Sequence, residues 1–516
     1  MMPKRSPWQS PEAGALAATR ALNSDLSVDV CVVGAGMAGL LCALELRERG
    51  RSVLVLERDS VAAGETGATT AHLSTLLDTR YFELCDMHGA DKARAIATSH
   101  MRGIAHLERV ANAHGIDCAF QRVSGFLCAD DERQAADLRR EAAAATQAGI
   151  SCELVRRAPL AIADGSALHV PHQAQFEPLA FLRGVVRALQ ASGVPIYAPV
   201  SVCDFEIRSE REPIALSTSD GRRVVANFVV VATNSPINDV TVLHTKLAAY
   251  RSYGLSVAIP ETIPALCWDL ATPYHYARTA FDALTHEPLL IVGGEDHRVG
   301  QELESEQHWQ QLEDWVRDRF PSAGRVVSHW SGQVLETSDG LAFIGRNPGQ
   351  EQVLVLTGFS GNGMSYSGLG AELIADLIVG DDNPARELYE PARKPHSLGA
   401  VGRYVRENLN TLEQYSDWLG PADVERIEDI RRGEGAVLRR GLDRVAVYVD
   451  QEGGAHELSA TCPHLGGVVA WNDAEKSWDC PCHGSRFDCY GKVIAGPAVS
   501  DLNQLAGGSK KAAEAR

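Results

Sequence analysis

Apolar runs of two lengths alternate along this chain, and glycine-rich turns separate them. Residues 28–33 form a short apolar run, and Gly34-Ala35-Gly36-Met37-Ala38-Gly39 follows at once. Leucine and alanine then recur with helical spacing over residues 40–46, and a second short apolar run, 52–56, ends at Glu57. This order predicts a strand, a tight turn, a helix and a second strand parallel to the first.

The turn has the glycine spacing of a dinucleotide-binding site. Gly34 permits the tight turn, Gly36 lets the backbone approach a pyrophosphate, and Gly39 lets the helix pack on the strand. The helix N-terminus offers free N–H groups to the phosphates, and Glu57 is placed to accept hydrogen bonds from the ribose hydroxyls. The fingerprint by itself leaves FAD and NAD both open.

Residues 246–332 alternate apolar and polar positions, which predicts an antiparallel sheet with one face on a core. Examples are residues 253–259 and 289–292. In a strand over 274–278, Tyr274, Tyr276 and Arg278 would share a face. If that face borders a substrate pocket, the tyrosines would form its wall and Arg278 would grip a substrate carboxylate in bidentate fashion. A solvent-facing arginine on an edge strand is the alternative interpretation.

Two later segments repeat the strand and glycine-turn pattern. An apolar strand over 228–234 contains Ala232 and Thr233, and another over 352–356 runs into a turn, 357–364, and an apolar helix, 369–379. Together with the turn over 64–72, this layout resembles the D-amino acid oxidase and glycine oxidase superfamily over residues 27–380. The resemblance implies FAD, an α/β Rossmann-like domain and a substrate subdomain built on an antiparallel sheet.

The resemblance and the fingerprint together predict the cofactor-binding residues. They are Gly34, Gly36, Met37, Ala38, Gly39, Glu57, Arg58, Thr66, Thr69, Thr70, Ala71, His72, Ala232, Thr233, Gly361, Asn362, Gly363 and Met364. In sarcosine and dimethylglycine dehydrogenases, a histidine in a turn like Thr70-Ala71-His72 is attached covalently to the flavin. We expect His72 to line the FAD site without such a bond. No second glycine fingerprint marks a separate NAD(P)H domain.

The C-terminal part holds two mixed pairs, Cys462-Pro-His464 and Cys480-Pro-Cys-His483, each followed by glycine. Two cysteines and two histidines can hold a [2Fe–2S] cluster, with the cysteines on one iron and the histidines on the other. A structural zinc site is the alternative, but zinc sites usually pair like ligands in C-x2-4-C and H-x3-5-H spacings. The mixed pairs favour the cluster.

At these residues the chain resembles the Rieske ferredoxin family, from 424 to 502, which implies a small all-β domain. The resemblance assigns the four ligands as above. The respiratory type joins its cluster loops by a disulfide, but here Gly467 stands opposite Cys482. Ser485 is retained as a donor, whereas Phe487 replaces a tyrosine. Fewer hydrogen bonds stabilise the reduced cluster less, so we expect a potential low in the range of about −150 to +300 mV.

Composition limits the class of protein. The chain has 516 residues, a net charge of −18 and twelve scattered cysteines. The acidic balance argues against a nucleic-acid partner. No apolar run is long enough for a membrane span, and no apolar segment near the N-terminus is typical of a secretory signal. With no paired cysteine spacing, we expect reduced thiols and a cytoplasmic location.

The sequence thus predicts an N-terminal tail (1–26), an FAD oxidoreductase domain (27–380), a linker (381–423), a Rieske domain (424–502) and a C-terminal tail (503–516). The leading hypothesis is oxidation of a C–N bond of an amine or amino acid. Electrons would pass from FAD to the cluster and on to an external acceptor such as a ferredoxin or a quinone. The alternatives are a cluster-fed flavin reductase, an oxygen-activating enzyme and a redox sensor.

Overall fold

The computed structural model describes residues 5–9, 16, 19–209, 212–238, 243–302, 305–394, 397–418 and 420–505. Most of the C-terminal segment predicted as a tail lies outside this range. Within it the helices are α1 (Met37–Glu48), α2 (Tyr81–His88), α3 (Ala90–Ala113), α4 (Glu132–Gln147), α5 (Pro178–Ala191), α6 (Glu306–Arg319), α7 (Gly363–Val379), α8 (Arg386–Tyr389) and α9 (Leu398–Gln414).

The strands of the N-terminal two thirds form two sheets. They are β1 (Leu26–Val33), β2 (Val53–Leu56), β3 (His72–Leu73), β4 (Gln121–Cys128), β5 (Glu153–Val155), β6 (Ala167–Gln175), β7 (Ile196–Tyr197), β8 (Val202–Glu206), β9 (Ile214–Thr218), β10 (Arg223–Val231), β11 (Leu247–Ala258), β12 (Ala265–Asp269), β13 (His275–Phe281), β14 (Pro288–Arg298), β15 (Val326–Thr337), β16 (Phe343–Asn347) and β17 (Gln350–Thr357).

The first sheet is the predicted dinucleotide-binding sheet. Its main path is β16-β17-β10-β1-β2-β7, and β1 pairs in parallel with both β10 and β2. Helices α1 and α7 pack against each other, and their apolar residues join the main core. Strand β2 and the carboxyl-terminal halves of β1, β10 and β17 are apolar and buried because both faces of the sheet are covered there. The carboxyl ends of β1, β2 and β10 therefore meet at one edge.

The second sheet is largely antiparallel and carries the predicted substrate subdomain. Its path is β15-β11-β14-β13-β12-β4-β6-β3. Strand β11 pairs with both β14 and β15, so the alternating segments predicted over 246–332 lie together. Strand β13 begins at His275, which leaves Tyr274 in the preceding turn.

The C-terminal domain is all-β, as predicted. Strands β18 (Glu434–Arg440), β19 (Asp443–Val449) and β20 (Ala455–Ser459) form one antiparallel sheet, and β21 (Ala470–Asn472), β22 (Ser477–Asp479), β23 (Arg486–Asp488) and β24 (Val493–Ala495) form another. A core around Trp478 and Phe487 includes Cys462 and Cys480. The ligand cysteines are therefore rooted in packed structure.

Segments predicted as tail and linker are packed against the domains. In the N-terminal segment, the Trp8 indole N–H donates to the carbonyl oxygen of Thr69 at 2.7 Å, which fixes the turn over 64–72. In the linker, Tyr389 is fully buried, and its ring lies 5.9 Å from that of Tyr366. Among the described residues, no helix has the length and apolar character needed to cross a bilayer.

Candidate active site and cluster centre

The glycine turn between β1 and α1 has no room for side chains. Gly34 has φ +108°, and a Cβ there would lie 2.4 Å from the carbonyl oxygen of Ala232. A Cβ on Gly39 would lie 2.0 Å from the carbonyl oxygen of Gly34, so α1 packs directly on the turn. Gly36 faces Thr66, whose Oγ1 would lie 3.1 Å from a Cβ at that position. Gly34 and Gly39 thus meet the steric demands that the sequence predicts, and the approach of a pyrophosphate at Gly36 stays a prediction.

Polar side chains hold the turn at the N-terminus of α1. The Ala35 N–H donates to Glu57 Oε2 at 2.8 Å, and the Met37 N–H donates to Thr66 Oγ1 at 3.0 Å. Burial raises the pKa of Glu57 above its usual value, against the opposing effect of the backbone donors at Asp59 and Ala35. A carboxylate and a helix N-terminus therefore lie side by side at the carboxyl edge of the sheet, as a nucleotide requires.

One continuous cavity runs from this turn to β13. Of the predicted cofactor residues, those lining it are Gly34, Gly36, Met37, Ala38, Glu57, Arg58, Thr66, Thr69, Thr70, His72, Ala232, Thr233, Gly361, Gly363 and Met364. Gly39, Ala71 and Asn362 lie behind the lining. Gly39 packs on the turn, Ala71 is fully buried at φ +59°, and Asn362 Oδ1 accepts from the Asp78 N–H at 3.4 Å.

Aromatic side chains surround His72 at the far end of the cavity. The His72 ring lies 5.6 Å from Trp268 and 5.5 Å from Tyr276, and its Nδ1 is 3.1 Å from Thr70 Oγ1. Burial, reinforced by the charge of Arg278, lowers the pKa of His72 to about 3. His72 is therefore neutral at physiological pH. Its covalent attachment to a flavin stays a question for experiment.

Acidic groups lie near the predicted tyrosines. Asp78 lines the cavity, and its Oδ2 accepts from the Gly361 N–H at 2.5 Å. Burial raises the pKa of Asp296 to about 7, although hydrogen bonds from Ser252 and Tyr274 oppose this. The Tyr276 hydroxyl is 3.0 Å from Ser252 Oγ. This end of the cavity thus combines aromatic walls with carboxyl groups.

Tyr274 and Tyr276 line the cavity, but Arg278 does not. Arg278 is 2% exposed, and its Nη2 donates to the carbonyl oxygen of Phe176 at 3.1 Å. Its guanidinium carbon lies 5.0 Å from the centre of the Trp8 ring. The expected pocket position of Arg278 is therefore not what the structure has, because this side chain is committed to the protein interior. Contact of Arg278 with a substrate stays a prediction that this geometry disfavours.

The two predicted cluster loops have matching geometry. In the first, the Gly466 N–H donates to the carbonyl oxygen of Cys462 at 3.0 Å; in the second, the Gly484 N–H donates to that of Cys480 at 3.0 Å. The two glycines have φ +77° and +78°, which is why glycine follows each mixed pair. The rings of His464 and His483 are 5.0 Å apart, so the loops converge.

The donor chemistry at the loops fits a binuclear cluster. A hydrogen bond with Cys480, together with burial, raises the pKa of Cys462, as expected of two thiols that face one another. Burial and the nearby rings of His464 and His244 lower the pKa of His483 to about 3, which keeps its imidazole neutral for metal binding. Nowhere in the described parts of the chain do three His, Cys, Asp or Glu side chains converge on one ion. A [2Fe–2S] cluster takes only two protein ligands on each iron, so it does not require three such side chains around one ion.

The residues used to compare this cluster site with the respiratory type lie in or directly beside the two cluster loops. Cys482 is unpaired, and its Sγ lies 2.6 Å from the position of a Cβ on Gly467. Ser485 is fully buried and hydrogen bonds to Cys462, an interaction that favours the thiolate. Phe487 is buried in the domain core and, unlike the tyrosine that it replaces, has no hydroxyl group.

Contacts between the domains join the cluster loops to the walls of the cavity. Gln333, which lines the cavity, donates from Nε2 to the carbonyl oxygen of Gly484 at 2.7 Å. The buried ring of His244 lies 4.8 Å from that of His464 and 6.1 Å from that of His483. The face of the cluster site that carries the histidines is thus turned towards the nucleotide-binding domain.

Buried charges fasten this interface. Arg251 of β11 is 2% exposed, and its Nη2 lies 2.7 Å from Glu475 Oε1 of the C-terminal domain. The other carboxylate oxygen of Glu475 lies 2.7 Å from Arg486, whose Nε is 2.9 Å from Asp479. Near the end of the linker, the Tyr415 hydroxyl donates to the carbonyl oxygen of Leu465 at 2.9 Å.

Sequence reasoning missed the residues that depend on docking of the domains. Gln333, Glu65 and the C-terminal segment 493–499 all contribute to the cavity lining. Glu65 belongs to the turn over 64–72 but is not among the predicted cofactor residues, and Ile494 is 436 positions from Arg58, its hydrogen-bond partner. No local pattern along the chain pairs these residues with one another.

The fold, the glycine turn and the paired Cys/His loops define a flavin oxidoreductase that carries an iron–sulfur domain. The chain belongs to the FAD dependent oxidoreductase (DAO) family, whose model matches residues 29–377, and its C-terminal part matches the Rieske [2Fe-2S] domain over 420–506. The predicted superfamily, fold class and cofactors, FAD and a [2Fe–2S] cluster, are confirmed. The protein is an FAD-dependent oxidoreductase.

A relative with the same extent is YhfW of Bacillus subtilis (strain 168), assigned as a Rieske 2Fe-2S iron-sulfur protein; it is 29% identical over 94% of each chain. The gamma-glutamylputrescine oxidoreductase of Escherichia coli (strain K12) is 25% identical over 75% of this chain and 91% of its own. Glycine oxidase from Geobacillus kaustophilus superposes with a TM-score of 0.58 at 21% identity, covering 72% of this chain and 99% of its own. That likeness shows the shared fold.

Proposed function

We propose that this enzyme oxidises a C–N bond of an amine or amino acid and passes the electrons from FAD through the Rieske cluster to an external carrier. The observation that carries the proposal is the hydrogen bond of Gln333, a cavity-lining residue, to Gly484 of the cluster loop. The names of two relatives, gamma-glutamylputrescine oxidoreductase and glycine oxidase, support the substrate class.

The residues at the glycine turn would hold the FAD. The N-terminus of α1 and Gly36 would receive the pyrophosphate, and Glu57 the ribose. The turns over 64–72 and 361–364 would lie beside the flavin ring. Bound FAD supplies the hydride-accepting chemistry, and the protein contributes orientation and electrostatics.

The aromatic end of the cavity would hold the substrate. Tyr274, Tyr276 and Trp268 provide walls for the carbon skeleton, and Asp78 offers a carboxylate to an ammonium group. A substrate amine must lose a proton before its C–H bond is oxidised, and a carboxyl group at this end can take that proton. Asp296, with a pKa of about 7, lies behind the cavity lining and is connected to it through the hydrogen bond with Tyr274.

The cluster ligands would be Cys462 and Cys480 on one iron and His464 and His483 on the other. Because both loops are docked on the domain that carries the flavin site, the two centres stay at a high effective concentration in one chain. An external acceptor, such as a ferredoxin or a quinone, would then remove one electron at a time.

An anaerobic substrate panel tests the direction of electron flow. Purified enzyme is mixed rapidly with amines and amino acids while the flavin band is followed by absorbance and the cluster by EPR after freeze-quenching. We expect a substrate of this class to bleach the flavin first and to reduce the cluster afterwards. Cluster reduction that precedes flavin bleaching, or no bleaching across the panel, would favour a cluster-fed reductase or a sensor.

A variant at the interface tests the contribution of Gln333. Gln333→Leu replaces the amide by an apolar side chain one atom shorter and removes the hydrogen bond to Gly484, so we expect cluster reduction to slow relative to flavin bleaching. Gln310→Leu, on the exposed surface of α6, is the matched control. Equal rates of cluster reduction in both variants would show that this contact does not assist the transfer.

A further inference from the structure

The C-terminal domain forms part of the wall of the cavity that holds the glycine turn. We call residues 493–499, which comprise β24 and the turn after it, the Rieske flank. All of its residues except Pro497 line the cavity. Ile494 and Val499 are 40% and 39% exposed, although most large apolar side chains of this domain are buried. The flank therefore presents apolar surface to the nucleotide site.

The flank is held from both sides. Arg58, which directly follows Glu57, donates from Nη2 to the carbonyl oxygen of Ile494 at 2.5 Å. On the other side, the Ala498 N–H donates to Ser485 Oγ at 3.1 Å, and Ser485 also bonds to the cluster ligand Cys462. The flank is thus connected to the ribose end of the nucleotide site and to the cluster site at once.

The flank lies directly beside the segment that follows β10 in the first domain. A Cβ on Gly496 would lie 3.4 Å from Ile237 and 3.7 Å from Ser235. These residues follow β10, whose carboxyl end borders the glycine turn. The flank therefore approaches the nucleotide site at the edge where the three strand ends meet.

The chemistry of the flank identifies the part of the cofactor that it faces. Its sequence, Val-Ile-Ala-Gly-Pro-Ala-Val, carries no charge. The N-terminus of α1 would hold the pyrophosphate, and the flavin ring would lie towards His72 and the aromatic residues. The apolar flank, beside Glu57 and Arg58, suits the flat, weakly polar adenine ring and its ribose.

We propose that the Rieske domain is a structural part of the FAD-binding site, with Ile494 and Val499 packed against the adenosine half of the cofactor. Covering this apolar surface stabilises bound FAD in proportion to the area removed from water. By linkage, bound FAD then strengthens the docking of the Rieske domain to the same degree. FAD affinity is accordingly a property of both domains.

Charged substitutions on the flank test the proposal in the full-length enzyme. Ile494→Asp and Val499→Asp place a carboxylate against the adenosine, beside Glu57. We expect each to weaken FAD binding at least about tenfold, equivalent to about 1.4 kcal/mol, in titrations of apoprotein with FAD. Leu442→Asp is the control, because Leu442 is an 86% exposed apolar residue of the same domain outside the cavity lining. Its FAD affinity should equal that of the wild type.

EPR of the reduced cluster shows whether each variant keeps a folded Rieske domain. The molar ratio of flavin to protein chain in the purified variants gives the same comparison without reconstitution. This ratio can be measured whether or not the flavin is attached covalently to His72. Wild-type FAD affinity and flavin content in both aspartate variants, with intact cluster spectra, would overturn the proposal. Should the aspartate variants lose the cluster, Ile494→Ser and Val499→Ser decide: weaker FAD binding supports the proposal, and unchanged binding refutes it.

Discussion

A single substitution at Glu475 should weaken the contact between the two domains. Its carboxylate bridges Arg251 of the FAD domain and Arg486 of the Rieske domain, with both contacts at 2.7 Å. Glu475→Gln keeps the shape of the side chain and removes its charge. Arg251 and Arg486 then stay buried with one compensating charge fewer, which is the costly way to disrupt a buried ion pair.

The size of the stability loss follows from how far the pKa of Glu475 is lowered. Burial raises the pKa of Glu475, but the charges of Arg251 and Arg486 outweigh burial and hold it at about 2, against an ordinary value of 4.5. A tenfold change in proton affinity corresponds to about 1.4 kcal/mol, so the ionised carboxylate contributes about 3 kcal/mol to folding and docking. Because the pKa is depressed, this contribution is fully present above pH 4.5 and is lost as the pH falls towards 2.

Guanidinium unfolding, followed by flavin fluorescence and by visible circular dichroism of the cluster, measures the effect. At pH 7 we expect Glu475→Gln to lower the free energy of unfolding by about 3 kcal/mol. Glu287→Gln is the matched control, since Glu287 pairs with Arg325 at 2.7 Å on the surface; it should cost less than about 1 kcal/mol. The reasoning fails if both variants lose the same amount, or if the deficit of Glu475→Gln grows as the pH is lowered from 7 to 4.5.

Three further predictions concern the two cofactor sites. Ser485→Ala removes a hydroxyl that hydrogen bonds to Cys462, so an EPR-monitored redox titration should find a lower potential than that of the wild type, itself low in the range of about −150 to +300 mV; an unchanged potential would contradict this. Gly39→Val forces a Cβ to within 2.0 Å of the Gly34 carbonyl oxygen, so the purified variant should carry no flavin by visible absorbance, and normal flavin content would disprove the steric argument. Acid denaturation and filtration of the wild type should release the flavin into the filtrate, whereas flavin retained with the protein would show covalent attachment at a residue such as His72.

Local patterns were sufficient for the parts of the site that lie within short segments. The spacing of Gly34, Gly36 and Gly39 predicted the turn because each glycine answers a steric demand within a few residues. The cluster loops were predictable for the same reason, since each Cys/His pair and its glycine form one turn. Helix α7 begins at Gly363 rather than at 369, and the turn before it is held by the hydrogen bond from the Gly361 N–H to Asp78, a contact that the sequence does not reveal.

The position of Arg278 shows where a strand pattern stops being informative. Tyr276 and Arg278 alternate correctly along β13, but the two side chains meet different neighbours. Tyr276 lies over Gly293, where a Cβ would be 2.2 Å from its ring, and so reaches the cavity. Arg278 is paired with Ile291 and lies against the Trp8 ring. The sequence gives the face of a strand, whereas the neighbouring elements decide what that face meets.

The sequence by itself determined that the chain carries a dinucleotide motif and a Cys/His cluster motif, because both need particular residues at short, fixed spacings; the choice of FAD over NAD came from the resemblance of the whole domain. Only the tertiary structure decided how the two domains meet: Gln333 on a cluster loop, Arg251 on Glu475, and Ile494 at the nucleotide site. These contacts join residues 151 to 436 positions apart. Such pairs arise from the shapes of whole folded surfaces, so no local pattern along the chain encodes them.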